Sequence, residues 1–442
     1  MRSRPDRFAN SRLVLRDARV PRALVEAPAK FGGRIERDCL RGDLLIEDGC
    51  VRRLLAPGGV VDEYAESDLG GRVVLPRLVE PHCHLDKCHT VSRLGSVGGD
   101  LHRAMEDQRS DRARWTRDDL RERSGRGLDE LRSSGCGSVR THIDWDADHV
   151  PEGATPLAWD VIGELAGEIA PHMGVQRCAL LSLEKFDDRS YVSGVARLLS
   201  ADGGVLGVFV LGQADMAGRL RCVIELAERY ALPLDFHVDE SLERTPDGLG
   251  AIARVVTETG FEGPVLCGHA CALMNLEGDA LARLVEAVAR SGVSIAALPA
   301  TNLYLQGRGE GTPQRRGVTR VRELREAGVT VAFGSDNVAD AFCPVGRLDP
   351  MHALALAVVT AHLDPPFGPW LASVTTSARR AIGLDPLPID RARAADLLVA
   401  DATHTADVVR GASRLALEEF LSINGTGARA SAPRGQPAQG ES

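Results

Sequence analysis

Between about residue 71 and residue 389, short apolar runs alternate with longer segments whose apolar positions recur at i, i+3 and i+4. Short apolar runs suit strands buried on both faces, and the longer period suits helices laid over them. Eight runs can be counted: Val73–Leu78, Ser138–Ile143, Val175–Leu181, Val205–Leu211, Leu234–Val238, Val265–Gly268, Val293–Leu298 and Val329–Gly334. Segments such as Ala217–Tyr230 and Leu276–Ser291 carry the helical stripe, with charges on the opposite face. Eight alternations predict an α/β fold, a closed (β/α)8 barrel of the TIM type.

The flanks read differently. Residues 1–70 contain shorter strand patterns such as Asp43–Val51, and Ala394–Asp401, within 390–425, has the same character. The two ends are expected to pair as one small β-sandwich beside a barrel spanning 71–389. From 426 to 442 the composition turns to Ala, Pro, Gly, Gln and Ser without apolar pattern, which predicts a disordered tail.

In a barrel of this kind the chemistry collects at the C-terminal ends of the strands. His82 and His84 follow the first run in Pro81-His82-Cys83-His84-Leu85-Asp86, His142 ends the second, His237 and Glu240 the fifth, His269 the sixth and Asp336 the eighth. Two imidazoles at i and i+2 of a strand face the same way and can address one cation such as zinc or ferrous iron. On that pair alone two readings stay open: a metal site, or polar residues at the end of a buried strand. The gathering of so many of the chain's twelve histidines at strand ends favours the site.

Composition narrows the class. The net charge of −9 disfavours nucleic acid or an anionic membrane as the main partner, and no apolar run is long enough to span a bilayer. The first residues lack an apolar stretch of the signal-peptide type, so a cytoplasmic location is expected. Ten scattered cysteines are then expected to be reduced thiols.

The segments Asn302-Leu303-Tyr304-Leu305-Gln306-Gly307-Arg308 and Arg315-Arg316-Gly317-Val318-Thr319-Arg320-Val321, with Arg140-Thr141-His142-Ile143-Asp144, carry a family resemblance. The chain resembles the amidohydrolase superfamily and, within it, the cytosine deaminases with their isocytosine and N-isopropylammelide relatives. The resemblance implies one divalent metal ion, Fe2+ or Zn2+, held by His82, His84, His237 and Asp336. It implies Glu240 as the proton shuttle and His269 as a contact to the attacking water or the substrate, with Asp336 also accepting a proton. His142 is read as a brace for the ligands and not as a catalytic group. Binuclear relatives place a bridging lysine at the end of the fourth strand, but Val205-Leu206-Gly207-Val208-Phe209-Val210-Leu211 offers none, so a single ion is expected. Of the three lysines, Lys87 reaches either the substrate or a loop carboxylate, or else is a solvated loop residue.

The activity implied is metal-dependent hydrolytic deamination of a cytosine-like amino-heterocycle. It differs from the small-domain deaminases that use H-x-E with P-C-x-x-C, neither of which occurs here. Where cytosine deaminases read the ring edge with glutamine, this chain has Ser182; it also has Asn337 after the metal aspartate and Phe342 in place of a tryptophan. Lys87, Ser182, Asn337 and Phe342 are therefore the expected substrate contacts, and isocytosine, an ammelide-type triazine or another amino-azine fits as well as cytosine. A cyclic-amide hydrolase is the alternative, and a non-catalytic barrel paralogue a further one. The branch commonly forms homo-oligomers, with the segment around Arg308–Arg320 a candidate for such contacts.

Overall fold

The computed structural model describes residues 8–425 apart from 9, 10, 60, 62, 96, 146–149, 151, 152, 244, 246, 310, 313 and 314. The expected tail at 426–442 lies outside the described residues. Eight strands form one parallel sheet in sequential order: β1 (Leu78–Cys83), β2 (Cys136–Asp144), β3 (Gly174–Ser182), β4 (Val205–Val210), β5 (Leu234–Val238), β6 (Val265–His269), β7 (Ser294–Ala297) and β8 (Val331–Phe333). The sheet curls until its two edges meet, where Cys83 bridges to Asp336 and the Asp336 amide donates to the His82 carbonyl at 2.8 Å. This is the expected α/β barrel.

The helices obey local rules. Arg117–Ser134 begins at Thr116, whose hydroxyl accepts from the Asp119 amide at 3.2 Å, carries Asp118 and Asp119 in its first turn, and stops at Gly135. The stripes expected at Ala217–Tyr230 and Leu276–Ser291 become helices Met216–Tyr230 and Gly278–Ser291. All the cysteines among the described residues are free thiols, and no helix there is long and apolar enough to cross a membrane.

One strand differs from expectation. Val73–Pro76 is not in the barrel: it pairs antiparallel with Leu397–Ala400, Val74 opposite Val399, in a second eight-stranded sheet made from both chain ends. The run Val73–Leu78 thus covers the whole of one strand and the first residue of another, joined across Arg77. The changeover falls at Arg77, whose amide still bonds Asp396 in the end-derived sheet at 2.8 Å, while the Leu78 amide bonds Gly135 beside β2 at 3.0 Å. The pairing of the two ends is as expected: Val51 donates to Ala392 and Ala394 to Gly49.

The barrel interior holds a buried ion pair. β2 and β5 are separated by two strands in the sheet order, so the contact from Arg140 Nη1 to Asp235 Oδ2 at 2.9 Å crosses the inside. Arg140 also donates to Gln176 Oε1 at 2.9 Å and to the Ile382 carbonyl at 2.8 Å, and both charges are fully buried. Burial raises the Asp235 pKa, but His142 and Arg140 outweigh it and hold the carboxylate below its usual range. Removing one partner of a buried pair leaves an uncompensated charge. Arg140→Met is expected to cost about 3–5 kcal/mol, read as a fall in the urea midpoint; an unchanged midpoint would mean the pair contributes nothing to stability.

Candidate active site

The site forms where the barrel closes. His82 sits near the end of β1 and His84 just beyond it, and the edge bridge brings Asp336, past the end of β8, alongside them. Asp336 Oδ1 lies 3.6 Å from His82 Nε2 and 3.3 Å from His84 Nε2, and the Nε2 atoms of His84 and His237 are 3.2 Å apart. All four side chains are buried. Glu80 fixes the seam: it accepts from the Ser335 amide and from the His82 amide at 3.0 Å, and from the Ser335 hydroxyl at 2.6 Å. Burial still pushes its carboxyl up to about 8.

The donor set fits a divalent cation. Both ring nitrogens of His82, both oxygens of Asp336 and Nδ1 of His237 are buried without hydrogen-bond partners, and each such orphan costs about 1–3 kcal/mol unless something occupies it. Burial, reinforced by the surrounding imidazoles, holds His82 and His237 far below their ordinary pKa; burial and Lys87 bring His84 down to about 4. Neutral imidazoles are the form that ligates metal. Three nitrogens and a carboxylate oxygen match what zinc or ferrous iron accepts. His142 stacks on His82 with ring centroids 3.9 Å apart, and its Nε2 lies 3.0 Å from Asp235 Oδ1. One nitrogen from each of His82, His84, His142 and His237 lies within 4.8 Å of the others, so His142, expected only as a brace, also stands within ligand range of the cluster.

Glu240 lies just past the end of β5, which carries His237, and His269 ends β6. His269 Nδ1 is 3.5 Å from Glu240 Oε1 and 3.9 Å from Asp336 Oδ2. Burial raises the Glu240 carboxyl to about 7, with His269 pulling the other way, so the acid is poised to give as well as take a proton near neutrality. The backbone is turned to φ 51° at Asp239, 68° at His269 and 58° at Asp336; left-handed residues without glycine at three strand ends are the kind of local strain that clusters at working sites. Asp239 is tied down by the Gly248 and Leu249 amides, each 3.0 Å away.

The expected substrate contacts share one cavity of about 390 Å3 with the cluster: Lys87, Ser182, Asn337 and Phe342 all line it. Lys87 is not a solvated loop residue. It is buried, with Nζ 2.8 Å from Asp144 Oδ1, 3.4 Å from His84 Nδ1 and 5.4 Å from the centre of the Phe342 ring. Arg112 Nη2 binds the other Asp144 oxygen at 2.5 Å. Asn337 donates its amide N–H to Asp340 at 2.6 Å.

The sequence profile of the amidohydrolase family matches residues 98–420. The chain belongs to the amidohydrolase family. Over 375 residues it is 34% identical to the pterin deaminase of Rhizobium rhizogenes, covering 84% of each chain. The crystal structure of 5-methylcytosine deaminase from Klebsiella pneumoniae, liganded with phosphonocytosine, superposes with a TM-score of 0.73 at 26% identity, over 91% of this chain and 95% of that one. N-isopropylammelide isopropylaminohydrolase from Burkholderia multivorans shares the fold, with a TM-score of 0.68 at 24% identity over 91% and 95% of the two chains. This amidohydrolase is a metal-dependent hydrolase of non-peptide C–N bonds.

Several residues of the amidohydrolase site escaped the sequence reading. Asn302 Oδ1 is 3.1 Å from His269 Nδ1, and Gln306 donates to the Glu240 carbonyl at 3.2 Å, so the segment that carried the resemblance braces both groups. Their i, i+4 spacing on helix Pro299–Leu305 and its end was the available signal. Helix α1 (Leu101–Arg112) roofs the cavity with Leu101, Met105, Gln108 and Arg112, whose spacing of four, three and four marks one helical face. Polar residues on that face resemble a solvated surface, which hid it. Gly268 shows how tight the site is: a Cβ there would lie 2.8 Å from Cε1 and 2.9 Å from Nδ1 of His82. Gly268→Ala is expected to lower metal affinity about 10–100-fold, the effect of disturbing a ligand's supports, in a chelator competition, with unchanged far-UV circular dichroism.

Proposed function

We propose that the protein hydrolytically deaminates a fused amino-azine of the pterin type, releasing ammonia, with one divalent ion held by His82, His84, His237 and Asp336. The observation that carries the reading is the buried Glu240–His269–Asp336 array, 3.5 Å and 3.9 Å between members, beside a cavity able to take a small ring system. The similarity to a pterin deaminase supports the bicyclic ring, as does Ser182, which is shorter than the glutamine of cytosine deaminases. In this reading the sheet built from both chain ends is an adjoining β-sandwich, drawn from residues up to Pro76 and from 390–425.

A divalent ion bound there supplies Lewis acidity and lowers the pKa of a water towards about 7. The chain's own groups move the protons. Asp336 and His269 accept the proton that the attacking water gives up. Glu240 delivers a proton to the ring nitrogen beside the amino-bearing carbon, which makes that carbon electrophilic. Water oxygen adds, the carbon becomes tetrahedral, and the amine takes a second proton and departs as ammonia, leaving a carbonyl. Asn302 and Gln306 hold His269 and Glu240 in place for this exchange.

Ammonia release from protein loaded separately with ferrous iron and zinc, across pterin, isocytosine, cytosine and ammelide, tests the reading. Glu240→Gln is expected to keep its metal while turnover falls about 10²–10⁴-fold, whereas Asp336→Ala should lose both. Full turnover in Glu240→Gln would remove that residue from the proton path, and silence across the panel with metal bound would move the search to cyclic amides.

A further inference from the structure

Gln108 is a buried amide with nothing to bind. It lies on the cavity face of α1, it is 2% exposed, and neither Oε1 nor Nε2 has a hydrogen-bond partner. A desolvated amide is kept in a fold only where its loss of hydrogen bonds is offset. The surroundings fix it in place: Ala104, one turn earlier on the same helix, packs with Leu305, Ala341 and Phe342, anchoring α1 over the strand ends. One turn later Arg112 is held by Asp144, which also holds Lys87.

A carboxamide offers one donor and one acceptor side by side. Its complement is a lactam edge, a ring N–H next to a ring C=O. We infer that Gln108 reads the lactam edge of the substrate ring, Nε2–H donating to the carbonyl and Oε1 accepting from the ring N–H. This rests on the deaminase reading. It gives the amino-azine a defined orientation: Glu240 addresses the ring nitrogen on one side of the amino-bearing carbon, and Gln108 the N–H and carbonyl on the other. The edge-reading amide that Ser182 does not supply from the end of β3 comes instead from the helix that roofs the cavity. In pterin that edge is N3–H with the 4-oxo group, so an azine without the oxo group leaves the amide unpaired and is rejected.

The test uses metal-loaded protein and probes that do not turn over. Lumazine, the dioxopteridine formed by deaminating pterin, keeps the lactam edge, while 2-hydroxypteridine lacks the 4-oxo group. Gln108→Met removes the amide at similar volume, and Gln108→Asn keeps it but withdraws it by one methylene. Fluorescence titration should show lumazine binding weakened about 10–100-fold in both variants, the worth of two neutral hydrogen bonds, with 2-hydroxypteridine little changed. Equal weakening of both probes, no weakening of either, or no lumazine binding by the wild-type protein would overturn the role of Gln108. Ammonia release from pterin by the wild-type protein is measured in parallel. If lumazine binding depends on Gln108 but no ammonia appears, the edge reading stands and the deaminase assignment falls.

Discussion

Everything in the site depends on the join between the first and last barrel strands. The Asp336 amide donates to the His82 carbonyl, and Glu80 grips Ser335, so β1 and β8 are stitched within a few residues of His82, His84 and Asp336. That stitching needs a close approach: a Cβ on Gly334 would sit 2.9 Å from Glu80 Oε1 and 3.0 Å from the His82 carbonyl oxygen. Barrel closure and assembly of the proposed ligand set are therefore one event, because the carboxylate comes from one edge of the sheet and two imidazoles from the other.

Around that seam the labour is divided by element. Strand ends carry the groups proposed to hold metal and move protons, and the backbone is left-handed at Asp239, His269 and Asp336 beside them. Side chains from the segment after β7 brace them, Asn302 on His269, Gln306 on Glu240 and the Thr319 hydroxyl on the Ala270 carbonyl. The roof comes from α1, in the long connection between β1 and β2. In the proposed function, chemistry and ring recognition sit on separate parts of the chain, an arrangement in which recognition can vary while the proton path is kept.

Much of this was legible in the sequence because its signals are periodic. His82 and His84 announce themselves by strand spacing, and His237, His269 and Asp336 by their place after apolar runs. The first strand was misplaced because Val73–Leu75 and Leu78–Val79 read as one apolar run across Pro76-Arg77, which is the corner between two sheets. Glu80 was invisible because a carboxylate inside a fully buried strand has no pattern of its own; only the meeting with Ser335 gives it a purpose. Gln108 and Arg112 were missed since a helix face turned towards a polar cavity looks like one turned towards water.

The pairing of Val73–Pro76 with Leu397–Ala400 also bears on how the chain is made. The earlier strand leaves the ribosome with an apolar edge whose partner is separated from it by the whole barrel. At roughly 5–20 residues per second, tens of seconds pass before that partner emerges. An unpaired apolar edge is a template for wrong pairing, so for most of its synthesis the nascent chain carries at Val73–Pro76 an edge that only a late part of the molecule covers.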